Sequence, residues 1–339
     1  MRVTIRDVAK RSGVSVSTAS LALNNKPKVS PETREKVLRA AQELNYHVHH
    51  TARNLAVGMT YQIGLFTPVS LEHTFSSSDF FTKLIQGIYN AAQDKGYSLM
   101  LFVADEAADV AAQVDRWIRS RSVDGFLITH PSFQMPYLDV LRTNAIPFVF
   151  VGRPPETGHT FPISYVDNDN VQVARKATEH LLELGHRRIL FINGPARFTY
   201  AQDRLQGYQD ALQQYDVSLD PGLVKAAELT FVDAHHVTEQ TLEEQDFTAI
   251  VVLNAMQALG SIQALAKHGL SVPQDISIVA SNSALTAYIH PPLTTVDIFP
   301  YQLGFQAVQL LQRQIVEDAI DHAIVPCQLI PRSSTVALH

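Results

Sequence analysis

TIRDVAKRSGVSVSTASLALNNKPKVSPETREKVLRAAQELNY, residues 4–46, carries three helix signals in close succession. Thr4 precedes Ile5, Val8 and Ala9 at helical spacing, and Gly13 interrupts the pattern where a helix end favours a residue tolerant of positive φ. Ser15 can cap a second helix from Val16 to about Asn24, with Ala19 and Leu23 turned inward and Val16, Ser17, Ser20 and Leu21 free to face out. Ser30 can cap a third, with Pro31 at its first position and Thr33 in its first turn, running through Val37, Leu38, Ala41 and Leu44. Two short helices joined by a glycine-containing turn and backed by a third form a helix-turn-helix.

In such a motif the second helix enters the DNA major groove, where its N-terminal side chains meet base edges. Val16, Ser17 and Leu21 are then the candidate readers. Ser15, Thr18, Ser20, Asn24, Ser30 and Thr33 suit phosphate contacts, being short hydrogen-bonding side chains at or beside helix starts, although the same groups also serve simply as caps. Thr4 and Tyr46, at the two ends of the motif, complete the set of candidate DNA contacts. The charge distribution agrees. Residues 1–58 hold ten basic and four acidic residues, a net of +6, whereas the rest of the 339-residue chain holds 17 basic and 29 acidic residues. A basic head on an acidic body directs only the head to a polyanion.

The whole head resembles that of the lactose-repressor (LacI/GalR) family of bacterial transcription regulators. The family usually has a basic residue at Leu21. Losing arginine there removes a bidentate guanine contact, and apolar Val16 and Leu21 favour a thymine methyl instead. The resemblance also places a short hinge helix at about residues 51–57, in which Leu55, with Ala52 on the same face, would wedge between base pairs in the minor groove and kink the duplex. Many relatives have proline at Val48. His47, His49 and His50 sit nearby with no Cys or carboxylate at ligand spacing, so no metal is expected.

Beyond Gly58, short apolar runs alternate with helical stretches as in βαβ units. Candidate strands are 62–67, 98–104, 125–129, 148–151, 163–166, 188–193, 249–253 and 276–280; helices such as 81–95 and 170–184 end at Gly96 and Gly185. VDNDNVQVARKATEHLLELGHRRILFING, AQDRLQGYQDAL, PPLTTVDIFPYQLGFQAVQLL and PRSST extend the family resemblance to the chain's end. The implied fold is an N-terminal all-α helix-turn-helix head plus an α/β body of two doubly wound parallel-sheet lobes, similar to type I periplasmic binding proteins. Expected boundaries are 1–50 for the head, 51–59 for the hinge, 60–162 with 295–323 for lobe one, and 163–294 with 324–339 for lobe two.

Such lobes place a ligand between the C-terminal ends of their strands. Arg204 matches the family's effector-binding arginine, Asn254 its cleft asparagine, and Phe231 an aromatic position that stacks on the effector or equally packs within a lobe. Asn282 and Ala255 stand where the family commonly has aspartate. From lobe one, Asp79 and Phe80 precede the first helix of the body, and His130 and Arg153 follow strands. The expected effector is a mono- or disaccharide.

Several classes are disfavoured. Neither GxGxxG nor GxxxxGK[ST] follows a strand, GxSxG is absent, and no carboxylate pair or Ser/His/Asp order stands out, so neither a cofactor nor catalysis is expected. The single cysteine, Cys327, cannot form an internal disulfide. No apolar run approaches the ~20 residues of a membrane span and no signal segment opens the chain, which points to the cytoplasm. With no leucine heptads after the last strand, a homodimer on a pseudo-palindromic operator is expected. A sugar-binding module without DNA function and a corepressor-dependent regulator responding to a non-sugar metabolite remain as alternatives.

Overall fold

The computed structural model describes residues 3–23, 28–46, 59–67, 79–103, 110–156, 161–281 and 283–338. Asn24, Ala52, Leu55 and Asn282 lie outside these. Two compact units divide the chain at Thr60 and Tyr61.

The first unit holds α1 (Ile5–Ser12), α2 (Val16–Leu23) and α3 (Pro31–Glu43). The Thr4 amide and hydroxyl both donate to the Asp7 carboxylate, at 2.8 and 2.7 Å, so the first turn of α1 is tied down at its start. Gly13 ends α1 at φ 70° and donates its amide to the Ala9 carbonyl. The Ser15 hydroxyl accepts from the Thr18 amide at 3.1 Å, and that of Ser30 accepts from Thr33 at 3.3 Å, so both capping expectations hold. Val8, Ala9, Ala19, Ala22, Val37, Ala40 and Ala41 form the core. Ala22 fills the place expected of Leu23, which is only partly buried, and Leu38 is 49% exposed. With so many alanines the helices approach closely and leave little room for large side chains.

The second unit contains two six-stranded sheets. In the first the order is β11 (His322–Val325), β5 (Ser164–Asn168), β4 (Phe148–Val151), β3 (Gly125–Thr129), β1 (Gln62–Thr67), β2 (Ser98–Val103). In the second it is β12 (Gln328–Ile330), β10 (Thr294–Asp297), β9 (Ser277–Ser281), β8 (Ala249–Val252), β6 (Ile189–Asn193), β7 (Val224–Ala226). All neighbours are parallel except β10 and β12. Helices cover the sheets, so the central strands are buried throughout and read as unbroken apolar runs, as in Leu190–Ile192 and Ile250–Val252.

The lobe boundaries differ from expectation. β5 pairs with β4 through Val149↔Ser164 and with β11 through Val325↔Asn168, so residues 163–168 and 324–325 belong to the first lobe. β10 pairs with β9 through Thr294↔Val279, which carries the second lobe to Asp297. Each crossing therefore follows a strand's C-terminal end, because the ladder holds the chain in its sheet until the pairing runs out.

The helices that matter for the cleft are α4 (Phe80–Asp94), α7 (Asn170–Glu183), α8 (Thr199–Gln214), α9 (Phe231–Glu244) and α10 (Ala255–Lys267), preceded in chain order by α5 (Val110–Arg119) and α6 (Leu138–Thr143) between α4 and α7, and followed by α11 (Pro300–Glu317). At Gly207 the α7 backbone comes so near that a Cβ would lie 2.0 Å from the Val171 carbonyl oxygen. That approach sets α8 directly on α7 and brings Arg204 against Asn170.

Candidate functional site

The head and the cleft are separate sites. On the head, Thr4 is exposed before α1, Ser15, Val16 and Ser17 are exposed and Thr18 and Ser20 half-exposed along the start of α2, and Ser30 and Thr33 stand at the start of α3. Val16 is 44% exposed, a large apolar side chain left at the surface where a reader is needed. Leu21 and Tyr46 are half-buried, each with part of the side chain packed against the head core.

Between the two sheets lies a cavity of about 160 Å³ that opens to solvent. Phe80, His130, Arg204 and Asn254 line it, as does Ala255, so four of the expected residues come together. Arg204 projects from the second turn of α8 and is 8% exposed. Its Nε donates to Asn170 Oδ1 at 3.0 Å, and the guanidinium carbon sits 5.5 Å from the Tyr200 ring centroid. Burial lowers its pKa from the usual arginine value. Its terminal nitrogens have no hydrogen-bond partner among the described residues.

Asp167, at the end of β5, is the buried counter-charge. It accepts from the amides of Arg153 (2.9 Å) and Asn168 (2.7 Å) and from Asn170 Nδ2 (3.1 Å). Burial pushes its pKa up, and those amides and the Arg204 charge pull the other way. His130, at φ 54° after β3, is held to Thr129 Oγ1 at 2.9 Å; burial, reinforced by Arg197, lowers its pKa to about 4. It faces the cleft as a neutral ring at physiological pH. Burial raises the Tyr200 hydroxyl to about 12, which keeps it protonated.

The other expected residues do different work. Arg153 does not line the cavity: its guanidinium forms two hydrogen bonds to Asp203, at 2.6 and 2.8 Å, and Thr199 Oγ1 donates to the Arg153 carbonyl at 2.5 Å. Both contacts join lobe one to lobe two. Asp79 makes a third, its Oδ2 accepting from the Ala284 amide at 2.7 Å with Lys83 Nζ 3.4 Å away. Phe231 opens α9 and stacks along that helix on His235, 6.2 Å between centroids, away from the cavity. Asn254 caps α10 by accepting from the Gln257 amide at 2.7 Å and donates to the Leu229 carbonyl at 2.9 Å, so its amide chiefly shapes the wall.

Asp167, Asn168, Asn170, Phe198, Tyr200, Ser281 and Ser283 line the cavity and were not singled out from the sequence. The signal was present for the first three: VDNDN closes a strand, and strand C-terminal ends are where such folds place ligands. Among the described residues no group of His, Cys, Asp or Glu could hold a metal ion, and no helix is long and apolar enough to cross a membrane. Cys327 is free, and burial raises its thiol pKa.

A helix-turn-helix head joined to a two-lobe cleft defines a ligand-responsive DNA-binding regulator. Residues 4–48 match the family of bacterial regulatory proteins, lacI family, and residues 178–335 match the periplasmic binding protein-like domain. The ribose operon repressor of Halalkalibacterium halodurans is 34% identical, with 98% of this chain and 97% of that protein aligned. The lac repressor dimer bound to operator and the anti-inducer ONPF superposes with a TM-score of 0.85 at 27% identity, covering 99% of this chain and 100% of that one. The transcriptional regulator CelR–cellobiose complex gives 0.77 at 27% identity, covering 98% and 100%. The chain belongs to the lacI family of bacterial regulatory proteins and is a DNA-binding transcriptional regulator.

Proposed function

We propose that this regulator is a cytoplasmic homodimeric repressor of carbohydrate-utilisation genes, with no catalytic activity, whose two heads bind a pseudo-palindromic operator and whose cleft takes a mono- or disaccharide. The observation that carries the effector reading is the buried Arg204, with its terminal nitrogens open to a cavity walled by Phe80, Phe198 and Tyr200. A forked donor suits vicinal hydroxyls, and aromatic faces suit the C–H surface of a sugar ring. The relatives named for ribose and bound to cellobiose support the same class. Regulation follows if the effector binds two lobe arrangements unequally, a coupling typically of about 1–3 kcal/mol.

A thermal-shift screen of the full chain against mono- and disaccharides, their phosphates and purines tests this. A specific ligand at ~100 times its Kd adds roughly 2.7 kcal/mol of stability. A purine hit with silent sugars overturns the sugar reading and leaves the DNA-binding one intact.

The hinge expectation has its own test. Leu55→Ala should weaken operator binding tenfold or more, about 1.4 kcal/mol, while binding to random duplex stays near its wild-type level. Equal affinities of variant and wild type for the operator, by fluorescence anisotropy, remove the wedge from the mechanism.

A further inference from the structure

The chain passes between the lobes three times, after β5 at Asn168, after β10 at Asp297 and after β11 at Val325. One side chain reaches all three places. Asn168 closes β5 and is 6% exposed. Its Nδ2 donates at 2.9 Å to the carbonyl of Ile298, the residue that follows β10, and at 3.1 Å to the carbonyl of Val325, the last residue of β11. An amide nitrogen carries two hydrogens, so these two bonds use both. The bond to Val325 runs to the register partner of Asn168, inside lobe one. The bond to Ile298 reaches the end of a strand in the second sheet, and so joins the lobes.

Each crossing is stiff beyond that point. On the first, Asp169 caps α7 by accepting from the Gln172 amide at 3.0 Å. On the second, Phe299 turns the chain at φ 46° and donates its amide to Asp297 Oδ1 at 2.8 Å before Pro300 opens α11. On the third, Pro326 follows Val325 directly and fixes its own φ. The Asn168 backbone is held as well, its amide donating to Asp167 Oδ1 at 2.7 Å. A single buried amide thus stands where three short, stiffened connections meet.

Three connections each carry their own soft dihedrals, and untied they let two lobes bend, twist and slide. Tied at one point they allow rotation about that point and little else. The seam bonds are of another kind. Arg153 to Asp203 and Asp79 to the Ala284 amide break when the lobes part, whereas bonds at an axis of rotation change length least and persist in both arrangements.

We propose that Asn168 is the pin of the lobe hinge, a positioning residue that makes the three crossings move as one and so turns occupancy of the cleft into one defined rotation. This rests on regulation through movement of the lobes and not on the identity of the effector.

The experiment is hydrogen–deuterium exchange, read by mass spectrometry, on the effector-free full chain as wild type, Asn168→Ala, Asn168→Asp and Asp203→Ala. In the wild type, residues 296–299 and 324–328 should exchange through one common opening with the same urea dependence. Asn168→Ala should speed both segments roughly five- to 150-fold, the range that two hydrogen bonds of ordinary net strength span. The sheet centres at Phe126–Ile128 and Leu190–Ile192 should keep their wild-type rates. Asn168→Asp keeps the shape but turns an acceptor toward two carbonyls, so it should do at least as much, whereas a side chain that only fills space would tolerate it. Asp203→Ala should loosen the seam and leave both crossings protected. Faster exchange confined to residues 166–170, a uniform rise in both sheets, or wild-type exchange in Asn168→Asp overturns the proposal, as does equal loosening of the crossings by Asp203→Ala. Separate openings of the two segments in the wild type also overturn it, and that measurement decides alone should the Asn168 variants fail to fold. In each of these outcomes the sugar reading is untouched.

Discussion

Arg204→Ala should lose effector binding by at least about tenfold, because a hydrogen bond to a charged group is worth about 1.5–3 kcal/mol and the Arg204 charge also acts on Asp167. Two effects add in that figure. The guest loses the forked donor that faces it, and Asp167, buried at the end of β5, loses the positive charge that offsets its desolvation. The second effect reaches the fold, so the variant should also unfold at lower temperature than the wild type. Arg204→Lys separates them. It keeps the charge near Asp167 but gives up the planar fork and the Nε bond to Asn170, so stability should recover more than effector affinity does. The measurement is a sugar titration and a thermal melt on all three proteins, beside operator binding without effector. Effector affinity unchanged in Arg204→Ala would remove this arginine from the site.

A second large effect is expected on the DNA side. Leu21→Arg should raise affinity for operators carrying guanine at the step that residue reads, and shift discrimination between G·C and A·T there by about 1–3 kcal/mol, roughly five- to 150-fold. The position can accept the change because Leu21 is only partly buried: the arginine stem can cover the apolar surface that leucine covers while its head extends to the groove. Selection of preferred duplexes from a randomised pool by wild type and variant reads the shift directly. The same preferred base for both would show that Leu21 lies off the groove.

The head was legible because its punctuation is local. Gly13, Ser15 and the Ser30-Pro31 pair each act within one turn of helix, and their expected bonds are found. Most central strands were legible because burial on both faces leaves an unbroken apolar run; β10 was missed because its TTVD is largely buried yet mostly polar. The edge strands β11 and β12 were not: HAIV is mostly exposed, and QLI has only three residues, so neither shows a pattern apart from its partner. The lobe boundaries were missed for the same reason, since what assigns 164–168 to the first sheet is the pairing with β4 and β11. Arg153 shows the limit at the site. A loop arginine after a strand suits a ligand as well as an ion pair, and the choice is made by Asp203, fifty positions away in sequence.

The bonds that join the lobes bear on time as well as on affinity. Arg153 to Asp203, Thr199 to the Arg153 carbonyl, and Asp79 to the Ala284 amide all hold lobe one to lobe two. Where release of a guest requires the lobes to part, its residence time follows the opening rate and not its own contacts alone. Loosening the seam at Asp203 should therefore quicken exchange, and a regulator so altered would forget a passing nutrient sooner than its parent does.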